Sequence, residues 1–396
     1  MQLKSNLSAL RSSLMSTEKL AVFGMYVYAL GSHAGRSLIS FGVGFLLLAW
    51  LIDLIKNRDF DFNRPLPYWP FLALMLLMFF SPSSPLIALG TGTFYSIAFP
   101  LAIANEIKTK KTIYRIIGLT LFVLTVSAII ANYEFLILGS NRPQGMARFN
   151  LTKGNVTAMG VGLLLPLLFV KGKTILFKIA VSLSLLLNVT ALAFSHARGA
   201  YLAFLGVVGC FTLIKKPKMI PLILVGLMIF FLILPVGVQD EFMSIIYEWQ
   251  DEVRIDMWRS SVDMMRDYPL RGVGFENFGT YYPDYIYEEG HDTRSSPHNS
   301  YFNLATELGI PAGAIFIYLN FLLLRNFYKT SRRKISEDGF DSAIFLGIML
   351  ALVAFLIAGL FENNITESQT RNFYWALIGL GFALQGVYIK KDSMSI

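Results

Sequence analysis

One cysteine, four histidines and a charged fraction of only 15% over 396 residues are what this chain has little of. The lone Cys210 lies in an apolar run, forbids an internal disulfide and reads as a small buried hydrophobe, silent about redox compartment. Charge this sparse excludes a soluble domain: residues 85–104, 116–131, 155–170 and 219–239 contain no Asp, Glu, Lys or Arg at all. Short alternating strands, the pattern of an outer-membrane barrel, are missing as well. What is there instead is 55% hydrophobic residues and a mean hydropathy of +0.55, the composition of an integral membrane protein. Such stretches cross roughly 30 Å of hydrocarbon as helices, because a helix satisfies its own backbone polar groups there.

The expected fold is all-α, a polytopic membrane protein with about twelve spans. They lie near 20–32, 38–55, 66–81, 85–104, 113–132, 155–170, 174–194, 197–214, 219–236, 300–324, 342–361 and 372–389. The first and third are short enough to be tilted or partly re-entrant. Lys4, Arg11 and Lys19 precede the first apolar stretch as in a secretion signal, but no small-residue cleavage site follows cleanly, so a retained first helix is expected. One alternating set of connections holds about two thirds of the Lys and Arg, including Lys171/Lys173/Lys178, Lys215/Lys216/Lys218 and Arg325/Lys329/Arg332/Arg333/Lys334, and cytoplasmic loops carry that excess. Both termini are therefore expected in the cytoplasm. The net charge of +8 is topology signal, and the runs KKPK and SRRK imply no nucleic-acid partner.

On the other side, residues 237–299 form one long loop holding about half of all Asp and Glu. Its first part mixes apolar and charged residues at near-helical spacing, which predicts one or two amphipathic helices on the membrane interface. Tyr281, Tyr282, Tyr285 and Tyr287 follow, suited to an interfacial position or to sugar stacking. No linker, low-complexity tract or short repeat divides the chain. Residues 1–396 are expected to be a single integral membrane domain, with 237–299 as a large periplasmic loop within it.

External arginines run against the topology rule, so each needs a reason. SHARGAY puts His196 and Arg198 in a minimal turn between two spans, where the guanidinium sits at or below the membrane surface, facing protein or a wet cavity. The bland alternative is snorkelling to lipid phosphates or capping a helix C-terminus. GSNRPQGMARFNLTKGN offers Arg142, Arg148, Asn150, Lys153 and Asn155, and VRIDMWRSS offers Arg254 and Arg259. An arginine among many acids, as Arg254 is, is often an ordinary surface ion pair. The planar guanidinium fork suits phosphate oxygens at any working pH. Several of them at one interfacial cavity would hold a lipid diphosphate and stabilise the charge growing on it as it departs. No HExxH, CxxC or close DxD pair occurs in the external loops, so neither metal nor other cofactor is expected.

SSPHNSYFNLATELGIPAG places His298 and Asn299 at the mouth of a span on the same side. A histidine there caps the next helix or, with a pKa near 6.5, takes a proton from a hydroxyl, and the residues alone leave both open. Glu307 lies nine residues on, about 13 Å along a helix, and is expected to face the interior, with pairing to an arginine as its plain role.

These segments resemble the O-antigen ligase and polymerase superfamily of bacterial inner-membrane glycosyltransferases. RGVGFENFGTYYP followed by SSPHNSYFNLATELGIPAGAIF is similar to that family's glycine-rich turn and His-Asn pair opening a helix. SHARGAY, MARFNLTKGN and RIDMWRSSVDMMRDYPLRGVGF match its Ser-x-x-Arg-Gly turn, Arg-Phe segment and Arg-x-x-x-Trp helix, in the family's order over residues 142–313. Arg271 departs from the pattern, where related sequences carry an aliphatic residue.

The resemblance implies a metal-independent, inverting transfer of glycan from undecaprenyl diphosphate to a sugar hydroxyl of lipid A-core, on the periplasmic face. It implies that Arg198 and Arg254 bind the donor diphosphate; the reading of the external loops adds Arg148 to them, with Arg142, Lys153, Arg259 and Glu307 supporting. His298 would act as base or orient the donor, and Asn299 would position it. A polymerase of the same superfamily is the neighbouring alternative. A lipid-linked glycan transporter is the alternative of another class, though transporters concentrate polarity at mid-membrane and in internal repeats, which this chain does not.

Overall fold

The computed structural model describes residues 16–33, 35–56, 67–83, 93–244, 252–287, 296–333, 336 and 339–393. In chain order its helices are α1 Thr17–Gly31, α2 Arg36–Lys56, α3 Tyr68–Phe79, α4 Thr93–Glu106, α5 Lys110–Leu136, α6 Asn150–Leu164 and α7 Ile175–Phe194. They continue with α8 Arg198–Lys215, α9 Ile220–Ile233, α10 Val236–Met243, α11 Glu252–Asp267, α12 Ser300–Leu308, α13 Ile310–Ser331, α14 Phe340–Ala358 and α15 Ser368–Ser393. No strand occurs among the described residues.

Eight of these helices are long and apolar enough to cross a membrane: α2, α5, α6 with the 3₁₀ turn that follows it, α7, α8, α13, α14 and α15. The remaining expected spans coincide with α1, α3, α4 and α9, which have 15, 12, 14 and 14 residues. At about 1.5 Å per residue these fall short of the roughly 30 Å hydrocarbon thickness. Residues 84–92, the start of the fourth expected span, lie outside the described residues.

The expected span 300–324 is two helices, not one. Gly309 separates α12 from α13 with φ at 90°, and a Cβ at that position would lie 2.4 Å from the carbonyl oxygen of Leu270. The backbone turns there so that Ile310 N–H can donate to Pro269 O at 2.9 Å. The membrane-length helix therefore begins at Ile310, and the short α12 carries the polar Ser300, Asn303, Thr306 and Glu307 buried against the loop.

The core is centred on α6, α14 and α15, the most enclosed of the eight. Glycine lets α6 and α14 touch: a Cβ on Gly162 would be 2.8 Å from Ala351 N, and one on Gly347 would be 2.8 Å from Leu163 O. Where lipid and side chain are equally oily, such close backbone approach is what drives helices together. Aromatic stacking of Phe355 on Tyr374, with ring centroids 4.1 Å apart, joins α14 to α15. At the far end, fully buried Asp341 receives the Lys110 ammonium at 2.6 Å and the hydroxyls of Tyr114 and Tyr388, tying α5, α14 and α15 into one unit.

The long loop carries helices as expected, but α11 does not turn its apolar side to lipid. Met257 and Met264 are buried against Val273, Phe278 and Tyr282 in a small core of the loop's own. The tyrosines are used there too: Tyr285 donates to Asp267 at 2.7 Å and Tyr287 donates to Asp263. α10 docks through Val238 on Ala193 and Phe194. Residues 245–251 and 288–295 lie outside the described residues.

Candidate active site

Where α6 and α8 begin and α14 ends, the segment after α14 folds onto the loop that carries His298. Ser300 N–H donates to Gly359 O at 2.8 Å, and its hydroxyl donates to Glu362 O at 3.0 Å while accepting from Asn364 N–H at 2.9 Å. Asn299 is the N-cap of α12, its Oδ1 accepting from the amides of Tyr301 and Phe302 at 2.9 and 3.1 Å. Its amide Nδ2 donates to Leu360 O at 3.0 Å. The Trp258 indole of α11 donates to Pro297 O at 3.0 Å. The capping role that the sequence left open for His298 thus falls to its neighbour. His298 itself has φ at 48°, a left-handed backbone uncommon outside glycine, fixed by the bonds on either side.

The imidazole meets a carboxylate that the sequence reading did not single out. Glu362 Oε2 lies 3.3 Å from His298 Nδ1, and its Oε1 lies 3.7 Å from Arg254 Nη2. Arg254 also donates from Nη1 to Phe361 O at 3.4 Å. The side chains of His298, Arg254 and Glu362 are 35%, 20% and 15% exposed, so the cluster is open on one side. With Nδ1–H given to the carboxylate, Nε2 becomes the basic nitrogen.

A second cluster repeats the chemistry. Arg198 Nε donates to Glu241 Oε1 at 2.7 Å, and His196 Nδ1 lies 3.8 Å from Glu241 Oε2. His196 also has a left-handed φ, at 50°. Its pKa lies below the usual imidazole value, chiefly through burial, with Glu241 opposing and the Arg142 charge adding to the depression. The clusters are neighbours: Gly199 packs on Phe361 so closely that a Cβ there would lie 3.1 Å from the Phe361 Cβ. Phe361 immediately precedes Glu362. Arg198, Arg254, His298 and Asn299 are therefore gathered around one segment, residues 359–362.

The other candidates are placed less centrally. Arg148 is exposed, with its backbone N–H on Gln369 Oε1 at 3.2 Å and its guanidinium 5.0 Å from the Phe149 ring. Arg142 is exposed on the same outer loop. Lys153 is buried and donates to Ser127 Oγ at 3.0 Å, beneath a turn whose Gln144 and Gly145 amides bond to Glu134. Arg259, five positions after Arg254 and so about 140° round the helix, is 63% exposed and 3.8 Å from Asp256.

Glu307 faces inward but among the described residues pairs with no arginine; it holds the glycine-rich turn. Its carboxylate accepts from Asn303 Nδ2 at 3.1 Å and Phe278 N–H at 3.5 Å, while Gly274 N–H donates to its carbonyl at 3.0 Å. Burial pushes its pKa up to about 8. Among the described residues no three His, Cys, Asp or Glu side chains gather as a metal ion would require.

Glu362 and Glu241 are the residues that sequence reasoning missed. A signal existed for the first: FENN follows a charge-free span directly, and an acid at the mouth of a span is as conspicuous as an arginine there. Asn155, which donates to Asn364 Oδ1 at 2.8 Å, ties α6 to the same segment.

No curated protein matches the chain. A family model described as O-antigen ligase matches residues 183–317, a stretch that includes Arg198, Arg254, His298 and Asn299 and ends before Glu362. Over that stretch the chain is similar to the O-antigen ligase family, and the fold of this multi-pass helical protein brings the four residues around one segment.

Proposed function

We propose that the protein is the ligase itself: it transfers glycan from undecaprenyl diphosphate to a sugar hydroxyl of lipid A-core. The reaction takes place on the periplasmic face of the bacterial inner membrane, with both termini cytoplasmic. The observation that carries this reading is Glu362, whose carboxylate stands between the Arg254 guanidinium and the His298 ring. It fixes a base and a cation side by side at a partly open site.

In this reading the acceptor hydroxyl loses its proton to His298 Nε2 as its oxygen attacks the anomeric carbon. The bond from that carbon to the diphosphate oxygen breaks, and the electron pair leaves on the diphosphate. A single displacement inverts the anomeric centre. Arg198 and Arg254 bind the diphosphate and stabilise its added charge, while Arg148 supplies a third cation at the rim with Arg142 beside it. Asn299 sets the backbone that aims His298. Lys153, Arg259 and Glu307 support from the shell in which each is buried or paired. Base catalysis of this kind contributes about 10²–10⁴-fold.

Purified protein given lipid-linked glycan and rough lipopolysaccharide, with chelator present, is expected to form ligated product, and His298→Ala to abolish it. Wild-type protein that makes no product but carries donor across liposomes would be a transporter. A deletion strain whose core bears a single repeat unit would point to a polymerase; loss of all O-antigen with lipid-linked polymer accumulating is the ligase outcome.

A further inference from the structure

At the ends of α8 and α14 remote from Arg198 and Glu362 lies a concavity of about 470 Å³. The 18 residues of α8 put roughly 27 Å between the two places, the span of the hydrocarbon layer. The rim carries Lys171, Lys215, Lys216, Arg332 and Arg333, and among the described residues no carboxylate lines it. Among the described residues none of these five cations has an ion-pair partner. Lys215 and Arg332 are close enough for their charges to act on one another. Like charges gathered at one rim attract an anion.

The wall is of another character. Phe169 and Phe211 line the cavity with ring centroids 5.2 Å apart. Phe211 is buried and Phe169 is 51% exposed, so the apolar wall runs from the cavity out to the flank of the bundle. The backbone bearing the arginines is pinned: Ser342 Oγ donates to Arg333 O at 2.9 Å, and Asp341 N–H donates to Ser336 Oγ at 3.3 Å. A topological excess of Lys and Arg requires only solvated loops. It does not require a hollow with a cationic rim and an oily side that opens laterally.

We propose that this cavity binds the headgroup of one anionic phospholipid, its phosphate on the Lys215 and Arg332 side and an acyl chain along Phe169. The chemistry matches in both halves: an oxyanion for the rim cations and hydrocarbon for the exposed ring. The site is separate from the ligase site and stands whether or not that assignment holds.

Native mass spectrometry of the purified full chain with phosphatidylglycerol, with phosphatidylcholine and with inorganic phosphate tests it. Wild type is expected to retain one phosphatidylglycerol, and millimolar phosphate is expected not to displace it. Lys215→Gln with Arg332→Gln should weaken retention at least tenfold. Lys178→Gln with Lys218→Gln removes the same charge on the same side outside the cavity and should leave retention unchanged. All four positions are exposed, and a melting curve checks that each variant is folded. Equal loss in both pairs means diffuse attraction and overturns the site. Equal retention of phosphatidylcholine, or displacement by phosphate, overturns a lipid headgroup as its occupant.

Discussion

A histidine becomes a directed base only when something fixes which nitrogen carries the proton. In the proposed mechanism that something, at His298, is Glu362, 3.3 Å from Nδ1, which also lies beside Arg254. Glu362→Gln keeps the shape and removes the charge. Turnover is expected to fall on the order of 10²-fold, the lower range for base catalysis, with acceptor KM nearly unchanged; steady-state kinetics read both. A loss of less than twofold would mean the carboxylate is incidental. Glu307 is the opposite kind of residue, a buried acid whose work is structural. Its folded pKa, about 8, lies above the ordinary 4.5, so the folded state favours the protonated form. That contribution is full below the ordinary value and is lost as pH rises through about 8. Thermal melting of wild type should therefore decline between those limits. Glu307→Gln, neutral throughout, should flatten the decline; parallel curves for the two proteins would refute the assignment.

Among the elements, the break between α12 and α13 decides most about the site, because α12 carries the His-Asn mouth. The apolar run of 300–324 continues through ELGIPAG, and Gly and Pro are ordinary inside membrane helices, so local sequence does not announce the turn. The structure requires it: Gly309 is left-handed and has no room for a Cβ beside Leu270. Gly309→Ala is expected to destabilise the protein by about 1–3 kcal/mol in denaturant or thermal unfolding. Gly118→Ala, in mid-α5 with nothing within 4 Å of the added carbon, should be neutral or stabilising by about 0.5–1 kcal/mol. Similar losses at both positions would show that the turn is not under strain. The same limit on local reading applies to α11, whose amphipathic pattern was legible while its partner was not. The pattern says that one face is buried, not whether lipid or protein buries it.

Over the whole molecule, polarity is sorted to two ends. One holds the arginine and histidine clusters, and the other holds buried Asp341 and the cationic cavity. Cysteine scanning in a Cys210→Ser background tests the orientation. Arg266→Cys, 75% exposed on α11, should react with an impermeant maleimide in spheroplasts. Lys216→Cys should react only after lysis. Labelling of both in intact spheroplasts would break the proposed topology.

Membrane class and the positions of most helical segments, the break at Gly309 excepted, were legible in the sequence alone, because hydropathy is a property of neighbouring residues; charge asymmetry likewise set the expectation for the side on which the arginines gather. The candidate base and cations were legible for the same reason: polar groups at a membrane mouth are few and stand out. Only the tertiary structure decided which acids hold them. Glu362 reaches His298 across 64 positions of chain and Glu241 reaches Arg198 across 43, and no local pattern encodes pairings at that distance. It also decided that Asn299 caps the helix, that Glu307 anchors a glycine turn, and that His298 is thereby left to face its carboxylate. Each outcome depends on which backbone groups the packed helices bring within hydrogen-bonding reach.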